Sequence, residues 1–426
     1  MSGRERVVIV GGGFGGLSCA RALDGSNADV MLLDRHNYHL FTPLLYQVAT
    51  ALLNPSDIAY PLRRAFRKSR NVRFRQAMVT DVDMNERIVT THLGEKIAYD
   101  TLVLATGGTN NYFGNQPLAE HSIGLKSLPE ALRLRNHVLS CLEEAEQTSD
   151  PTERARWLTF VVVGGGPTGV EYAGALNELL DIVIGSDYPR LHRKEARIVL
   201  VEGLSRLLGA FHPKLGQYAE QTLTAAGIEV RTNTLVEKAD DESVTLRNGE
   251  SIAAKTIVWS AGVRPTDPLN DAPRSARSKR LDTDEFLRLR GHDHVYVIGD
   301  AAAVQTTKGE LPMLSPPAMQ EGRYVARAIK AGRAQKPFRY LDKGTMATIG
   351  RNAAVADVRG FKLKGFLGWL AWLFVHIYYL IGFRNRVAVL ASWSWNYLLR
   401  DRPIRLIVHA RPDPLADEMD PDERSG

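Results

Sequence analysis

The residues of this sequence that point to a chemistry are two glycine runs, Gly11-Gly12-Gly13-Phe14-Gly15-Gly16 and Gly164-Gly165-Gly166-Pro167-Thr168-Gly169. Such a run offers no acid, base or nucleophile; what it can do is bind. A turn without side chains lets backbone N–H groups approach a phosphate, and a helix starting at the turn faces that phosphate with its positive dipole end. In the Gly-x-Gly-x-x-Gly spacing, Gly11 permits the tight turn, Gly13 the approach to a pyrophosphate, and Gly16 the close packing of helix on strand. Gly164, Gly166 and Gly169 repeat the pattern. Asp34 follows Gly16 by eighteen residues, and Glu202 ends the partner strand of the second run. A carboxylate there accepts hydrogen bonds from ribose hydroxyls. Only two cysteines are present, Cys19 and Cys141, in no CxxC pair. That excludes a zinc site built of thiolates and a CxxC redox disulfide; Cys19 reads as a small core residue.

The elements that must hold these residues are legible around them. Val7-Val8-Ile9-Val10 is an apolar β-branched run that reads as a buried parallel strand. A helical pattern with Leu17, Ala20, Ala22 and Leu23 follows the first run, and a strand from Val30 to Leu33 ends on Asp34. The second run sits between a strand at Phe160–Val163 and a helix at Val170–Leu180; its partner strand is Ile198–Val201, and Asp181–Lys194 reads as an insertion. Two fingerprints about 150 residues apart mean two dinucleotide domains. The expected fold is α/β: two Rossmann-like dinucleotide-binding domains plus C-terminal amphipathic membrane-anchoring helices. The first domain is read as 1–126 with 286–340, because the strand Val295–Ile298 into Gly299-Asp300 returns to it. A connecting helix, Leu128–Gln147, and a polar linker, Thr148–Arg156, fill 127–155; the second domain is 156–285. Ile58–Ser69 reads as a short helix bearing Arg63, Arg64, Arg67 and Lys68, and a further helix is expected at Ala318–Ala331. Residues 341–408 hold strand-like and apolar segments, and 409–426 reads as a disordered tail.

The composition is that of a folded protein, 44% hydrophobic and 24% charged, with a net charge of +6 and a pI near 9.2. A modest basic excess suits nucleic acid or an anionic membrane surface, and the C-terminal part favours the membrane. Gly365–Phe383 contains no Asp, Glu, Lys or Arg, but glycines and His376 interrupt it and aromatics run through its middle. Basic residues, including Lys362, Lys364, Arg384, Arg386 and Arg400, flank it and the second apolar segment, Val387–Leu399. That pattern suits helices lying in a membrane interface; a true span and a buried hairpin or dimer contact are the alternatives. No nucleic-acid partner and no metal are expected.

With Ala105-Thr106-Gly107 and Gly299-Asp300, the two fingerprints resemble the flavoprotein reductases with two dinucleotide domains. Phe41-Thr42-Pro43-Leu44-Leu45-Tyr46-Gln47-Val48-Ala49, Gly164 through Glu171, and Gly382-Phe383-Arg384-Asn385-Arg386 narrow this, and together resemble the type II NADH dehydrogenases, single-chain NADH:quinone oxidoreductases. The resemblance runs from about residue 6 to 408. It implies one non-covalent FAD in the first domain and NADH as substrate in the second. It also implies hydride transfer to FAD, two-electron reduction of a quinone without proton pumping, peripheral attachment to the cytoplasmic face of the cell membrane, and a homodimer. FAD contacts are expected at Gly11, Gly13, Phe14, Gly15, Gly16, Asp34, Arg35, Pro43, Leu45, Thr106, Gly107, Asp300 and Gln320. NADH contacts are expected at Gly164, Gly166, Pro167, Thr168, Gly169, Glu202, Ala261 and Gly262. The flavin supplies the redox chemistry, so no nucleophile is expected.

Two residues carry catalytic expectations. Glu171 is placed near flavin and nicotinamide, orienting them or relaying a proton, against the alternative that it complements the helix dipole. Gln320 would donate to a quinone carbonyl or the flavin, against the alternative that it ties the helix start to its loop. The family has a second Gln nearby, where this chain has Pro316. Asp300 is expected to take a ribityl hydroxyl, or else to cap a helix. The other functions open to such a chain are a reductase of the same fold with a non-quinone acceptor and an NADH-sensing flavoprotein. Sulfide oxidation needs paired reactive cysteines, which are absent.

Overall fold

Strands with both faces covered can be apolar at every position, and the sequence uses such runs to build two parallel sheets. The computed structural model describes residues 4–269, 272–307, 309–332 and 336–408; the expected disordered tail, 409–426, lies outside them. In chain order, the elements that position the site begin with β1 (Arg6–Val10), α1 (Phe14–Leu23), β2 (Asp29–Asp34), α2 (Leu45–Ala49), β3 (Val72–Gln76) and β4 (Thr101–Leu104). Next come β5 (Ile123–Gly124), α3 (Leu128–Gln147), α4 (Pro151–Trp157), β6 (Thr159–Val163), α5 (Pro167–Ser186), β7 (Arg197–Val201), β8 (Glu229–Arg231) and β9 (Thr256–Trp259). The last are β10 (Val295–Val297), α6 (Ser315–Lys330), β11 (Thr345–Gly350), β12 (Ala353–Val358), β13 (Phe361–Lys364), α7 (Gly365–Tyr379) and α8 (Phe383–Leu399).

The chain forms two compact units, one of residues 1–40, 59–109 and 263–342, the other of 41–58, 110–262 and 343–426. The first unit contains a parallel sheet in the order β10-β4-β1-β2-β3. Val7–Val10 is its centre, in register with Val30–Leu33 on one side and Thr101–Leu104 on the other. The second unit repeats the plan as β5-β9-β6-β7-β8, with Phe160–Val163 in register with Ile198–Val201 and Thr256–Trp259. In each sheet the fingerprint strand is central and the acid-terminated strand lies beside it. The second unit also holds the antiparallel sheet β11-β12-β13 and helices α7 and α8.

Several local expectations shift. The polar linker is largely helical, as α4, with the Asp150 carboxylate accepting from the Thr152 amide at its start. The insertion after residue 180 begins as a continuation of α5 to Ser186. The basic helix at 58–69 shrinks to Leu62–Ala65. Helix α6 starts at Ser315, because Pro316 and Pro317 fall in its first turn, where no backbone N–H is needed. The uncharged stretch from Gly365 breaks before Phe383, at Gly382, whose φ is +91°. Residues 41–58, read as part of the first domain, cluster with the second unit, since the apolar residues of α2 are buried there between α3 and α5.

Within the second unit α5 crosses β11 at Gly174, where a Cβ atom would lie 1.9 Å from the Ile349 carbonyl oxygen. Gly185, on the same helix, faces open space. Gly174→Ala is therefore expected to destabilise the protein by roughly 1–3 kcal/mol through overpacking. Gly185→Ala should stabilise it by roughly 0.5–1 kcal/mol through helix propensity. Urea unfolding of the two variants reads this opposite sign directly.

Candidate functional site

In the first unit, Gly11 takes φ +106° and lies against the Ala105 carbonyl, which a Cβ atom would meet at 2.2 Å. A Cβ atom on Gly16 would lie 1.8 Å from the Gly11 oxygen, so the first turn of α1 rests on the loop that precedes it. Gly13 borders open space and begins α1 with no side-chain cap. A helix start without a side-chain cap can offer its first-turn amides to an outside acceptor, as a pyrophosphate requires. Asp34 accepts from the Gly12 amide at 2.5 Å and the His36 amide at 2.7 Å, and burial pushes its carboxyl above the usual range. His39 hydrogen-bonds the Gly12 carbonyl through Nδ1 at 2.9 Å. Its Nε2 is buried with no partner among the described residues, and burial holds the ring pKa down at about 4. A neutral ring donating from Nδ1 leaves Nε2 a bare acceptor beside the glycine loop. Open approach, uncapped helix, carboxylate and bare acceptor fit the pyrophosphate and ribose of FAD.

The second unit repeats the geometry. Gly164 takes φ +110° against Ala261, and a Cβ atom on Gly169 would lie 1.8 Å from the Gly164 oxygen. Gly166 borders open space and begins α5 uncapped, with Pro167 and Thr168 as the first helical residues. Glu202 accepts from the Gly165 amide at 2.5 Å and the Leu204 amide at 2.7 Å. Ala261 and Gly262 follow the end of β9. Arg206, the cation that could meet a 2′-phosphate, donates to the Gly209 carbonyl at 2.7 Å.

The remaining expected FAD residues of the first unit lie at the carboxyl ends of adjacent strands, where ligands bind in open α/β sheets. Thr106 and Gly107 follow β4, and Thr106 is pinned by a reciprocal pair of hydroxyl-to-carbonyl bonds with Thr266. Asp300 lies in the single turn Gly299–Ala301 after β10. Ile298, not Asp300, occupies the N-cap position of that turn. Arg35 follows Asp34, and its carbonyl accepts from Gln76. Phe14 and Gly15 open α1. Pro43 and Leu45 belong to the second unit. Glu321, which sequence reasoning passed over, accepts from the Gly299 amide at 2.6 Å. It is buried, and desolvation pushes its carboxyl up to about 7.

The second unit holds a cavity of about 70 Å³, lined among others by Tyr46, Gln47, Glu171, Glu178, Trp372 and Arg402. Glu171 lies in the second turn of α5, past the reach of the helix dipole. Its Oε1 accepts from the Thr348 amide at 3.2 Å. Burial pushes its carboxyl up to about 8, opposed by the Thr348 amide and the Trp372 indole. No cation pairs with it among the described residues. Glu178, two turns on, does have one: Arg402 Nη2 donates to it at 2.9 Å while Nη1 reaches the Thr50 carbonyl at 2.8 Å. The two acids on one helix are thus set apart, Glu178 ion-paired and Glu171 buried without a counter-charge. No pattern in the sequence marks Thr348, Trp372, Trp393 or Arg402, since each is a single residue inside an unremarkable segment.

Residues 5–322 match the pyridine nucleotide-disulphide oxidoreductase family, and 343–401 match the NDH2 C-terminal domain. The chain is 38% identical over 413 residues to the type II NADH:quinone oxidoreductase Ndh of Mycobacterium tuberculosis, covering 93% of this chain and 88% of that protein. The chain belongs to the type II NADH dehydrogenase family. A second M. tuberculosis relative, NdhA, is 38% identical over 425 residues, covering 94% of this chain and 89% of its own. The structure of NDH2 from Plasmodium falciparum in complex with NADH shares the fold, with a TM-score of 0.88 at 22% identity over 95% of this chain and all of that one. Membership makes this chain a flavin-dependent NADH dehydrogenase, with the α/β flavoprotein fold expected from its two fingerprints.

Gln320 lies on α6. Gln320 spends both ends of its amide on Leu341, donating to its carbonyl at 2.9 Å and accepting from its amide at 3.0 Å. These two bonds tie α6 to the following loop, the alternative role given for Gln320, and use one of the two N–H groups of its amide.

With Glu202 at the ribose end and Arg206 engaged elsewhere, NADH should exceed NADPH in kcat/KM; Glu202→Gln, which no longer repels a 2′-phosphate, should narrow that gap. Glu171 carries a second expectation. Its folded pKa is raised, so the native state holds a proton that the unfolded chain has released. Stability attributable to Glu171 therefore falls as pH rises from about 4.5 to about 8. Glu171→Gln should resist urea better than the wild type at pH 8, and the difference should vanish toward pH 4.5.

Proposed function

We propose that the protein oxidises NADH through one non-covalently held FAD and reduces a quinone at the surface of an anionic membrane, without moving protons across it. The observation that carries this is the pair of complete fingerprints in one chain, each with its open glycine loop, uncapped helix and ribose-facing acid. The names of the M. tuberculosis relatives, NADH:quinone oxidoreductases, support the acceptor. When bound, FAD supplies two-electron chemistry, taking a hydride and giving the electrons on. The protein's part is position and field. Asp34 and the first glycine loop hold the FAD nucleotide, and Glu202 and the second loop hold NADH. Glu171 holds a proton near neutral pH, as reduction of a quinone to a quinol requires.

Membrane attachment is supported by the surface of the C-terminal helices. Among the described residues no helix is long and apolar enough to cross a membrane. Helix α7, of 15 residues, is about 22 Å long against a hydrocarbon core of about 30 Å. Yet Leu367, Phe374, Tyr378, Phe383 and Leu398 are all more than 60% exposed. Exposed Lys362, Lys364, Arg384 and Arg400 border them. An apolar face rimmed by cations suits helices lying in an anionic leaflet.

The deciding experiment is the visible spectrum of the purified protein. A flavin spectrum bleached by NADH and restored by a short-chain quinone is expected; a stable charge-transfer band without turnover would instead mark a sensor. For the membrane, Phe374→Glu with Leu398→Glu should lose sedimentation with anionic liposomes by on the order of tenfold per site. The same pair should leave the flavin content unchanged.

A further inference from the structure

Helix α6 turns one face to two loops of the first unit that carry expected FAD residues, the glycine loop and the Gly299–Ala301 turn. Ala318, Glu321 and Gly322, spaced i, i+3 and i+4, share that face. Gly322 rests on α1: a Cβ atom there would come 2.3 Å from the Gly15 carbonyl oxygen and 3.0 Å from the Cys19 amide nitrogen. Ala318 borders both loops. Its carbonyl oxygen would stand 3.4 Å from a Cβ atom on Gly15, and its own Cβ 3.4 Å from one on Gly299. Glu321 is 1% exposed, and its Oε2 accepts from the Gly299 amide at 2.6 Å. Helix α6 is thus seated on the glycine loop by backbone contact and reaches the other turn by a hydrogen bond. Packing alone would not call for a carboxylate here, because burying one is costly and an apolar side chain would fill the space. The Gly299 amide does call for it. Gly299 takes φ +71°, and its amide is the first in a turn of three residues, so no carbonyl within the turn can pair with it. The next residue is Asp300, whose Oδ2 would lie 3.4 Å from a Cβ atom on Gly108, at the end of the Thr106-Gly107 turn.

We propose that Glu321 is a positioning residue for FAD: by holding the Gly299 amide it keeps the Asp300 carboxylate beside Gly108, in register with the glycine loop on which α6 rests. Asp300 is the residue expected to take a ribityl hydroxyl, and the glycine loop is expected to take the pyrophosphate. The two contacts belong to one ligand, so their spacing must be fixed, and α6 is the element that touches both. Without the acceptor on residue 321 the turn is released from α6, and Asp300 occupies its binding position only part of the time. The apparent affinity for FAD falls by that fraction. The role needs an acceptor atom and not a charge, so a glutamine carbonyl at this position can fill it.

This inference rests on the FAD site of the proposed function, and its test reads flavin binding without turnover, so the electron acceptor does not enter. Purified holoprotein is diluted in steps, and the FAD released is followed by its fluorescence. Glu321→Leu should weaken FAD binding about threefold to tenfold, the size of one hydrogen bond. Glu321→Gln should recover most of that loss. Glu321→Met also lacks an acceptor and repeats the test if the Leu variant folds poorly. Because Glu321 acts through Asp300, adding Glu321→Leu to Asp300→Ala should cost far less than Glu321→Leu costs alone. A Glu321→Leu protein that holds FAD as tightly as the wild type overturns the positioning role. So does a Glu321→Gln protein that binds as weakly as the Leu variant. Losses that add fully in the double variant mark a general weakening of the unit and overturn it as well. A wild type that binds FAD but reduces no quinone removes the proposed function and leaves this inference standing, whereas a wild type that takes up no flavin removes both.

Discussion

The structure depends on one close contact made twice: the first turn of a helix lying on the backbone oxygen of the loop that launches it. At Gly16 and at Gly169 a single Cβ atom would come within 1.8 Å of that oxygen. The contact fixes where each helix starts. That in turn fixes which amides form its N-terminus and how the neighbouring acid meets the loop. Asp34 reaches the Gly12 amide and Glu202 the Gly165 amide at the same 2.5 Å. Two sites of one geometry thus arise from one steric rule, and what distinguishes them is the set of segments each unit adds around its sheet.

The second unit adds the more reactive part. Helix α5 begins at the nucleotide loop and carries Glu171 and Glu178 further along the same rod. Burial without a counter-charge pushes Glu171 up to about 8, while Glu178 has the buried guanidinium of Arg402. A carboxyl that must be neutral and one that must be charged can share a small cavity only if the cation is held firmly at one end. Arg402 is held by the Thr50 carbonyl and hydroxyl as well as by Glu178. Burial lowers the Arg402 pKa while Glu178 opposes that fall.

Much of this was legible in the sequence because its signals are local. A strand, a glycine turn, a helix and an acid lie within about thirty residues of each other in the first unit and about forty in the second, and each has its own residue preference. The return of the chain to the first sheet could also be expected, since the apolar strand Val295–Ile298 runs into the Gly299-Asp300 turn, and β10 pairs with β4 there. The pocket was not legible. Its walls come from residues near 46, 171, 348, 372, 393 and 402, and no short-range period connects them. The partner of Gln320 was hidden for a related reason: its motif is local, but the Leu341 backbone that its amide bonds lies twenty-one residues on. Asn385 shows the reverse. It stands in a stretch quoted for its family likeness, yet its work is to donate to the Ser56 and Asp57 carbonyls at 3.0 Å.

The burial of Arg402 has a consequence for how the protein is made. The apolar helix α2 leaves the ribosome early, but the C-terminal residues of its unit that bond to it, Trp393 and Arg402, come some 350 residues later. At roughly 5–20 residues per second that is an interval on the order of tens of seconds. Through that interval Gln47 and Thr50 lack these partners. The biosynthetic hazard of this fold is therefore placed in an early segment, whose polar groups at Gln47 and Thr50 wait for Trp393 and Arg402 until the last helix has been made. A chain interrupted before Arg402 would expose it for as long as the fragment survives.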